Sequence, residues 1–189
     1  MRALFFTPHF PLAPLDSSSN VFTRKFGFLC RPKGFHSKRF YFPPASQNFL
    51  TLGIGGNEGD VIATFTKLIL WLKNHPNFHF IITSPIYRNP AFGYKNQPDF
   101  YNATISLITN LNLNAIYHLV FYLERKFGRA RKRRFKNAPR TLDIDILFFG
   151  HKVVKYPHLK IPHPAWKQRE SVIIPLLLQS LVMQGEKGR

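Results

Sequence analysis

Between Phe49 and Phe149 the apolar residues switch repeatedly between a period of two and a period of three to four, which restricts the chain to a layered α+β fold. Phe49 to Gly55 reads as a buried strand running into a tight turn at Gly55-Gly56. Asp60 can cap a helix whose apolar positions are Val61, Phe65, Leu68, Ile69 and Leu72, and Asn74 to Asn77 stops it. Phe78 to Tyr87 reads as a second strand and Phe100 to Ile108 as a third, with the loop Arg88 to Asp99 between them. Leu113, Ile116, Tyr117, Val120, Leu123 and Phe127 mark a second amphipathic helix that ends at Gly128. Thr141 to Phe149 is the fourth strand. Strand, helix, strand, strand, helix, strand is the ferredoxin-like order, which places both helices on one face of an antiparallel sheet.

The flanks differ from this centre. Residues 1 to 48 carry seven basic groups against one acid, Asp16, and are interrupted by Pro8, Pro11, Pro14, Pro32, Pro43 and Pro44. Proline at that density rules out long helices and central strands, so the segment is expected to be an irregular N-terminal extension, parts of which dock through its Phe residues. Leu4 to Phe6 is too short for a signal-peptide core, and the prolines argue against the amphipathic helix of a transit peptide. After Phe149 the expectation is a small hairpin over Gly150 to Lys155, a turn at Pro162 to Pro164, an apolar segment from Val172 to Val182, and a flexible tail over 183 to 189. The domain proper therefore spans 49 to 182.

The single cysteine, Cys30, excludes an internal disulfide and any multi-cysteine zinc site, which fits the cytoplasm. No apolar run approaches the roughly 20 residues a membrane helix needs. With 27 Lys and Arg against 9 Asp and Glu the formal charge is +18, which attracts polyanions without telling a nucleotide from a nucleic acid.

The chemistry concentrates before and on the fourth strand. Side chains alternate along a strand, so Leu142, Ile144, Ile146 and Phe148 share one face while Asp143 and Asp145 share the other, with Cα atoms about 6.5 Å apart. Two carboxylates so placed can hold Mg²⁺ with water and phosphate oxygens, or can form a structural salt-bridge network with arginine. The preceding stretch, Gly128 to Arg140, contains no acid and seven basic groups, and reads as a loop able to close over a polyphosphate. A basic RNA-binding module would explain the charge equally well. It would not explain Asp143 and Asp145 on one strand face, whose charge repels nucleic acid unless metal intervenes.

Lys136-Asn137-Ala138-Pro139-Arg140-Thr141-Leu142-Asp143-Ile144-Asp145-Ile146-Leu147 resembles the signature of the 6-hydroxymethyl-7,8-dihydropterin pyrophosphokinases of folate biosynthesis. Further pieces follow in the family's order: Gly55-Gly56-Asn57, Tyr87-Arg88-Asn89-Pro90, Gln97-Pro98-Asp99-Phe100-Tyr101-Asn102, Glu124 before Gly128-Arg129, and Ile161-Pro162-His163-Pro164 before Arg169. The resemblance runs from Phe49 to about Leu178 and implies transfer of diphosphate from ATP to the pterin's hydroxymethyl oxygen, with release of AMP. By the same resemblance Asp143 and Asp145 hold two Mg²⁺ ions, and Arg129, Arg131 and Arg140 face phosphate. Glu124 lies near the nucleotide, His163 contacts ATP, and Arg169 is a further phosphate candidate. Asn89, Pro90 and Phe92 form the pterin loop, Phe100 stacks on the ring, and Asn102 reads its polar edge.

The sequence departs from the family's pattern at Ser171, where a second stacking Phe is usual; at Phe135, which roughly replaces a Trp; and at Gly56, where Ser is common. Trp166 is a substitute candidate for the missing wall. His75, His79, His118, His151 and His158 lack a comparable context and are read as structural or surface groups. The expected partners are the two small substrates, with neither membrane nor nucleic acid, and the expected state is a monomer.

Overall fold

The computed structural model describes residues 29–30, 47–91, 96–129 and 138–185. Its elements in chain order are β1 (Leu29–Cys30), β2 (Asn48–Gly56), α1 (Val61–Asn74), β3 (Phe78–Thr83), β4 (Ile86–Asn89), β5 (Phe100–Thr109), α2 (Leu113–Lys126), β6 (Asp143–Phe149), β7 (Val154–Tyr156), β8 (Leu159–Ile161) and α3 (Glu170–Gly185). The cap expected at Asp60 forms, and α2 is capped as well. Asp60 Oδ1 accepts the Ala63 N–H at 2.9 Å, and Asn112 Oδ1 accepts the Ala115 N–H at 2.9 Å. Gly128 closes α2 with φ of 94°, in the left-handed region that favours glycine.

The main sheet has the order β1-β4-β5-β2-β6, with β3 also paired to β5, and every pairing is antiparallel. This is the ferredoxin-like α+β arrangement expected from the order of elements. Leu50, Leu52 and Ile54 of β2, Ile105 and Leu107 of β5, and Ile144 and Ile146 of β6 meet Phe65, Leu68 and Leu72 of α1 and Ile116, Val120 and Leu123 of α2 in one buried core. The opposite sheet face is covered by α3, which crosses β5, β4 and β3.

That second face is partly polar. Ser106 Oγ donates to Gln179 Oε1 at 3.0 Å, and Gln179 Nε2 donates to the Ile82 carbonyl at 3.1 Å and the Thr104 carbonyl at 3.4 Å. Gln179 is only 4% exposed, so its amide depends on these partners.

Four sequence expectations are corrected. The second strand is two strands, broken at Ser84-Pro85 because proline cannot donate to the ladder. Ser84 bridges the break: its N–H donates to the Thr104 carbonyl at 3.0 Å and its Oγ accepts the Thr104 N–H at 2.9 Å. Phe148 does not share a face with Ile144 and Ile146. The register shifts between Thr51 and Leu52, so that Phe148 lies opposite Thr51 and Phe149 takes the core position. The hairpin starts within Gly150 to Lys155 but extends past it, β7 and β8 running from Val154 to Ile161 and turning at Pro157-His158. The fourth strand begins at Asp143, two residues later than expected.

The extension also contributes to the sheet, since Leu29 and Cys30 pair with Tyr87 and Ile86. The remainder of residues 1–46 lies outside the described residues. At the other end α3 runs through Gly185, into the stretch expected as tail. No helix among the described residues is long and apolar enough to cross a membrane.

Candidate active site

The face of the sheet opposite α1 and α2 carries the candidate residues in rows. Register places Asn102 of β5 beside Gly55 of β2, and Gly55 beside Asp143 of β6; the next row is Thr104, Gly53 and Asp145. Two glycines thus leave the middle strand bare between the expected pterin reader and the expected metal ligands. A Cβ on Gly55 would lie 2.9 Å from Asn102 Oδ1, so the Asn102 amide rests where a side chain at 55 would stand.

Asp143 is held from both sides. Its Oδ1 accepts Arg129 Nη1 at 2.7 Å and its Oδ2 accepts Arg140 Nη1 at 2.6 Å. Arg129 Nη1 also pairs with Glu124 Oε1, the oxygen that takes the Ile144 N–H at 2.9 Å. Glu124 therefore ties the end of α2 to β6 and aims Arg129. Burial pushes the Glu124 carboxyl from 4.5 up to about 7, against the opposing pull of the Ile144 N–H and Arg129. Burial also raises Asp145, the Asp143 charge adds to this, and His163, Arg169 and Arg129 oppose it.

A carboxyl raised in the folded state binds its proton more tightly there than in the unfolded chain. The stability it contributes is complete below about pH 4.5 and is lost as pH rises toward about 7. Glu124→Gln removes that part of the slope, so urea titrations of the variant should fall less between those two pH values than those of the wild type. An unchanged slope would show that Glu124 titrates normally.

Asp145 makes no hydrogen bond or ion pair with the described residues, and no three His, Cys, Asp or Glu side chains converge among them. Asp145, without such a partner, beside Asp143, whose oxygens also meet Arg129 and Arg140, offers carboxylate oxygens outside any protein cage, which suits a hard Mg²⁺ ion that shares its ligands with water and substrate phosphates. The donor set fits the ion.

Arg140 joins the metal side to the substrate side. Its guanidinium lies 5.5 Å from the centre of the Phe100 ring while it pairs with Asp143. Its backbone is clamped by Asn57: the Arg140 N–H donates to Asn57 Oδ1 at 3.0 Å, and the Arg140 carbonyl accepts the Asn57 N–H at 2.9 Å and the Glu58 N–H at 3.2 Å. Asn57 Nδ2 in turn donates to Gln97 Oε1 and to the Pro98 carbonyl, both at 3.0 Å. The sequence reading quoted Asn57 in a motif and gave it no role. A polar side chain directly after the Gly55-Gly56 turn is the signal that marks it.

His163 sits after the cis Ile161–Pro162 bond, its N–H donating to the Leu147 carbonyl at 3.0 Å, and its buried Nδ1 has no partner among the described residues. Its charge and that of Arg169 act on Asp145, so both belong to the same site. Trp166 packs edge-on against Phe148 with centroids 5.1 Å apart, and no ring contact joins it to Phe100 among the described residues. Asn89 and Pro90 end β4 beside Phe100, which pairs with Asn89. Arg131, Phe92 and Phe135 lie outside the described residues.

An antiparallel α+β domain with paired strand carboxylates, clustered arginines and an adjoining aromatic ring and side-chain amides is an arrangement suited to a transferase of phosphoryl-type groups. Residues 51–179 match the family described as 7,8-dihydro-6-hydroxymethylpterin-pyrophosphokinase (HPPK). The chain is 49% identical over 137 residues to the 2-amino-4-hydroxy-6-hydroxymethyldihydropteridine pyrophosphokinase of Helicobacter pylori, covering 72% of this chain and 84% of that protein. It is 41% identical over 150 residues to the protein of that name from Campylobacter jejuni, covering 76% and 94% respectively. The chain belongs to the HPPK family, enzymes of folate biosynthesis that pyrophosphorylate hydroxymethyldihydropterin from ATP, generally with Mg²⁺.

Proposed function

We propose that Asp143 and Asp145 hold two Mg²⁺ ions against the ATP triphosphate, that Arg129, Arg140 and Arg169 bind its phosphates, and that Phe100 and Asn102 seat the pterin. The carrying observation is the row Asn102, Gly55, Asp143. Two strand spacings of about 4.8 Å put the pterin reader and the metal carboxylate about 10 Å apart across a floor without side chains. When bound, the ions neutralise phosphate charge and polarise the bonds around the β-phosphorus.

The chain's own groups do the rest. Arg129 and Arg140 enter the site already oriented, one by Glu124 and Asp143 and the other by Asp143, so little of their rotamer freedom remains to be lost when phosphate arrives. Asn89 and Pro90 supply the pterin loop, with Phe92 and Arg131 assigned to it and to the basic loop by the family's pattern. His163 has a buried ring nitrogen free to meet the nucleotide. The expected state is a monomer, and we place it in the cytoplasm.

Purified protein with Mg²⁺ and ATP should release AMP only when 6-hydroxymethyl-7,8-dihydropterin is added. Absence of AMP from folded protein that still binds ATP would overturn the assignment of Phe100 and Asn102 to the pterin and mark Ser171 as a damaging departure. A chain lacking residues 1–46 should keep this activity, because the residues of the site, from Gly55 onward, all lie on β2 and beyond. Its loss would show that β1 is needed at the β4 edge.

A further inference from the structure

The sheet face beside Gly55 carries two side-chain amides in series. Asn89 Nδ2 donates to the Pro90 carbonyl at 2.8 Å, and Asn102 Nδ2 donates to Asn89 Oδ1 at 2.7 Å. The polarity of such a chain is fixed by its first member. A backbone carbonyl can only accept, so Asn89 must turn its NH₂ toward Pro90 and its oxygen toward Asn102. Asn102 must then turn its own NH₂ toward Asn89. Reversing either amide would set two carbonyl oxygens face to face. The remaining Asn102 atom, Oδ1, is left over the bare backbone of Gly55, 2.9 Å from where a Cβ would be.

We propose that Asn89 is a positioning residue that fixes the orientation of the Asn102 carboxamide, so that Asn102 presents a hydrogen-bond acceptor to an N–H on the edge of the substrate ring. This rests on the assignment of Asn102 to the pterin pocket. The Asn102 nitrogen carries a second proton, so the fixed amide offers acceptor and donor side by side. That pattern complements a lactam edge, in which a ring N–H adjoins a carbonyl. It opposes a ring of the same shape in which the carbonyl is an amino group and the adjacent nitrogen is unprotonated. Without Asn89 the amide can turn over and serve either edge.

The test is equilibrium binding of 6-hydroxymethyl-7,8-dihydropterin and of its 2,4-diamino counterpart to the full chain, with Mg²⁺ and a non-hydrolysable ATP analogue. The two ligands are near-isosteric and reverse donor and acceptor at the lactam edge. Wild type should prefer the lactam by roughly 100-fold, as sites built around a buried hydrogen bond do. Asn89→Ala should bring the preference within about 10-fold, both by weakening the lactam and by strengthening the diamino ligand. Asn89→Asp still can only accept from Asn102, and at this water-accessible position its second oxygen can turn from the Pro90 carbonyl to solvent, so it should restore the wild-type preference.

A preference in Asn89→Ala equal to that of wild type, or one that Asn89→Asp does not restore, would overturn the relay. Asn102→Ala separates the two ideas. If it loses lactam affinity while Asn89→Ala keeps full selectivity, the pocket stands and the relay falls. If Asn102→Ala binds both ligands as wild type does, the pocket assignment is wrong and the relay falls with it.

Discussion

Asp143→Asn is expected to lower kcat by at least about 10³-fold, equivalent to roughly 4 kcal/mol of transition-state stabilisation, while leaving the protein folded. Both carboxylate oxygens of Asp143 are engaged, one by Arg129 and one by Arg140, and the residue stands one bare strand from Asn102. An amide keeps the shape but carries no charge and offers only one oxygen, so it cannot hold a hard cation and align two guanidinium groups as well. The side chain is 27% exposed, and ion pairs with that access to water contribute about 1 kcal/mol or less to stability. AMP formation and thermal melting, run on the same preparation, separate the two effects. Near wild-type turnover would remove the assignment of metal to Asp143.

Asn57→Ala should cost both stability and catalysis. The side chain is 4% exposed and makes three hydrogen bonds, to the Arg140 N–H, to Gln97 and to the Pro98 carbonyl. At roughly 0.5 to 1.5 kcal/mol each, their loss predicts about 2 to 4 kcal/mol in a urea titration. Arg140 would also lose the clamp on its backbone, so kcat/KM should fall about 10-fold or more. Asn57→Asp is the sharper variant. It keeps the acceptor for Arg140 but turns a carboxylate oxygen toward the Pro98 carbonyl, which cannot donate. The Asp variant should be as destabilised as the Ala variant at neutral pH and should recover in acid, where a protonated carboxyl can donate again. Stability equal to that of wild type at neutral pH would show that the Pro98 contact carries no weight.

The residues that declare themselves in the sequence are those whose signal is local. Asp60 acts within three residues of itself, and the apolar positions of α1 and α2 repeat within a turn. Asp143 and Asp145 face one way because alternation along a strand is a nearest-neighbour property. What was missed depends on distant partners. The displacement of Phe148 comes from a register shift against Thr51 and Leu52 on another strand. Asn57 acts through Gln97 and Arg140, 40 and 83 residues away. The break at Ser84-Pro85 was legible, since proline interrupts a ladder, but the hydroxyl that carries the pairing across it was not. The family signature supplied roles for Arg129, Arg140 and His163 that spacing alone left open.

Helix α3 is apolar on every side along Val-Ile-Ile-Pro-Leu-Leu-Leu, so hydrophobic burial gives it little reason to prefer one rotation about its axis over another. The bonds from Gln179 to Ile82 and Thr104 choose that rotation. One amide near the far end of the helix acts as a locating pin. Through it the azimuth of Ser171 in the first turn, and the approach of Arg169 just before it, are referred to the sheet that carries Asp145. A leucine at 179 would make the interface greasier and the helix less certain of its angle. Steering of Arg169, on the side of the site proposed for the nucleotide, is thus delegated to an amide whose bonds run to the sheet.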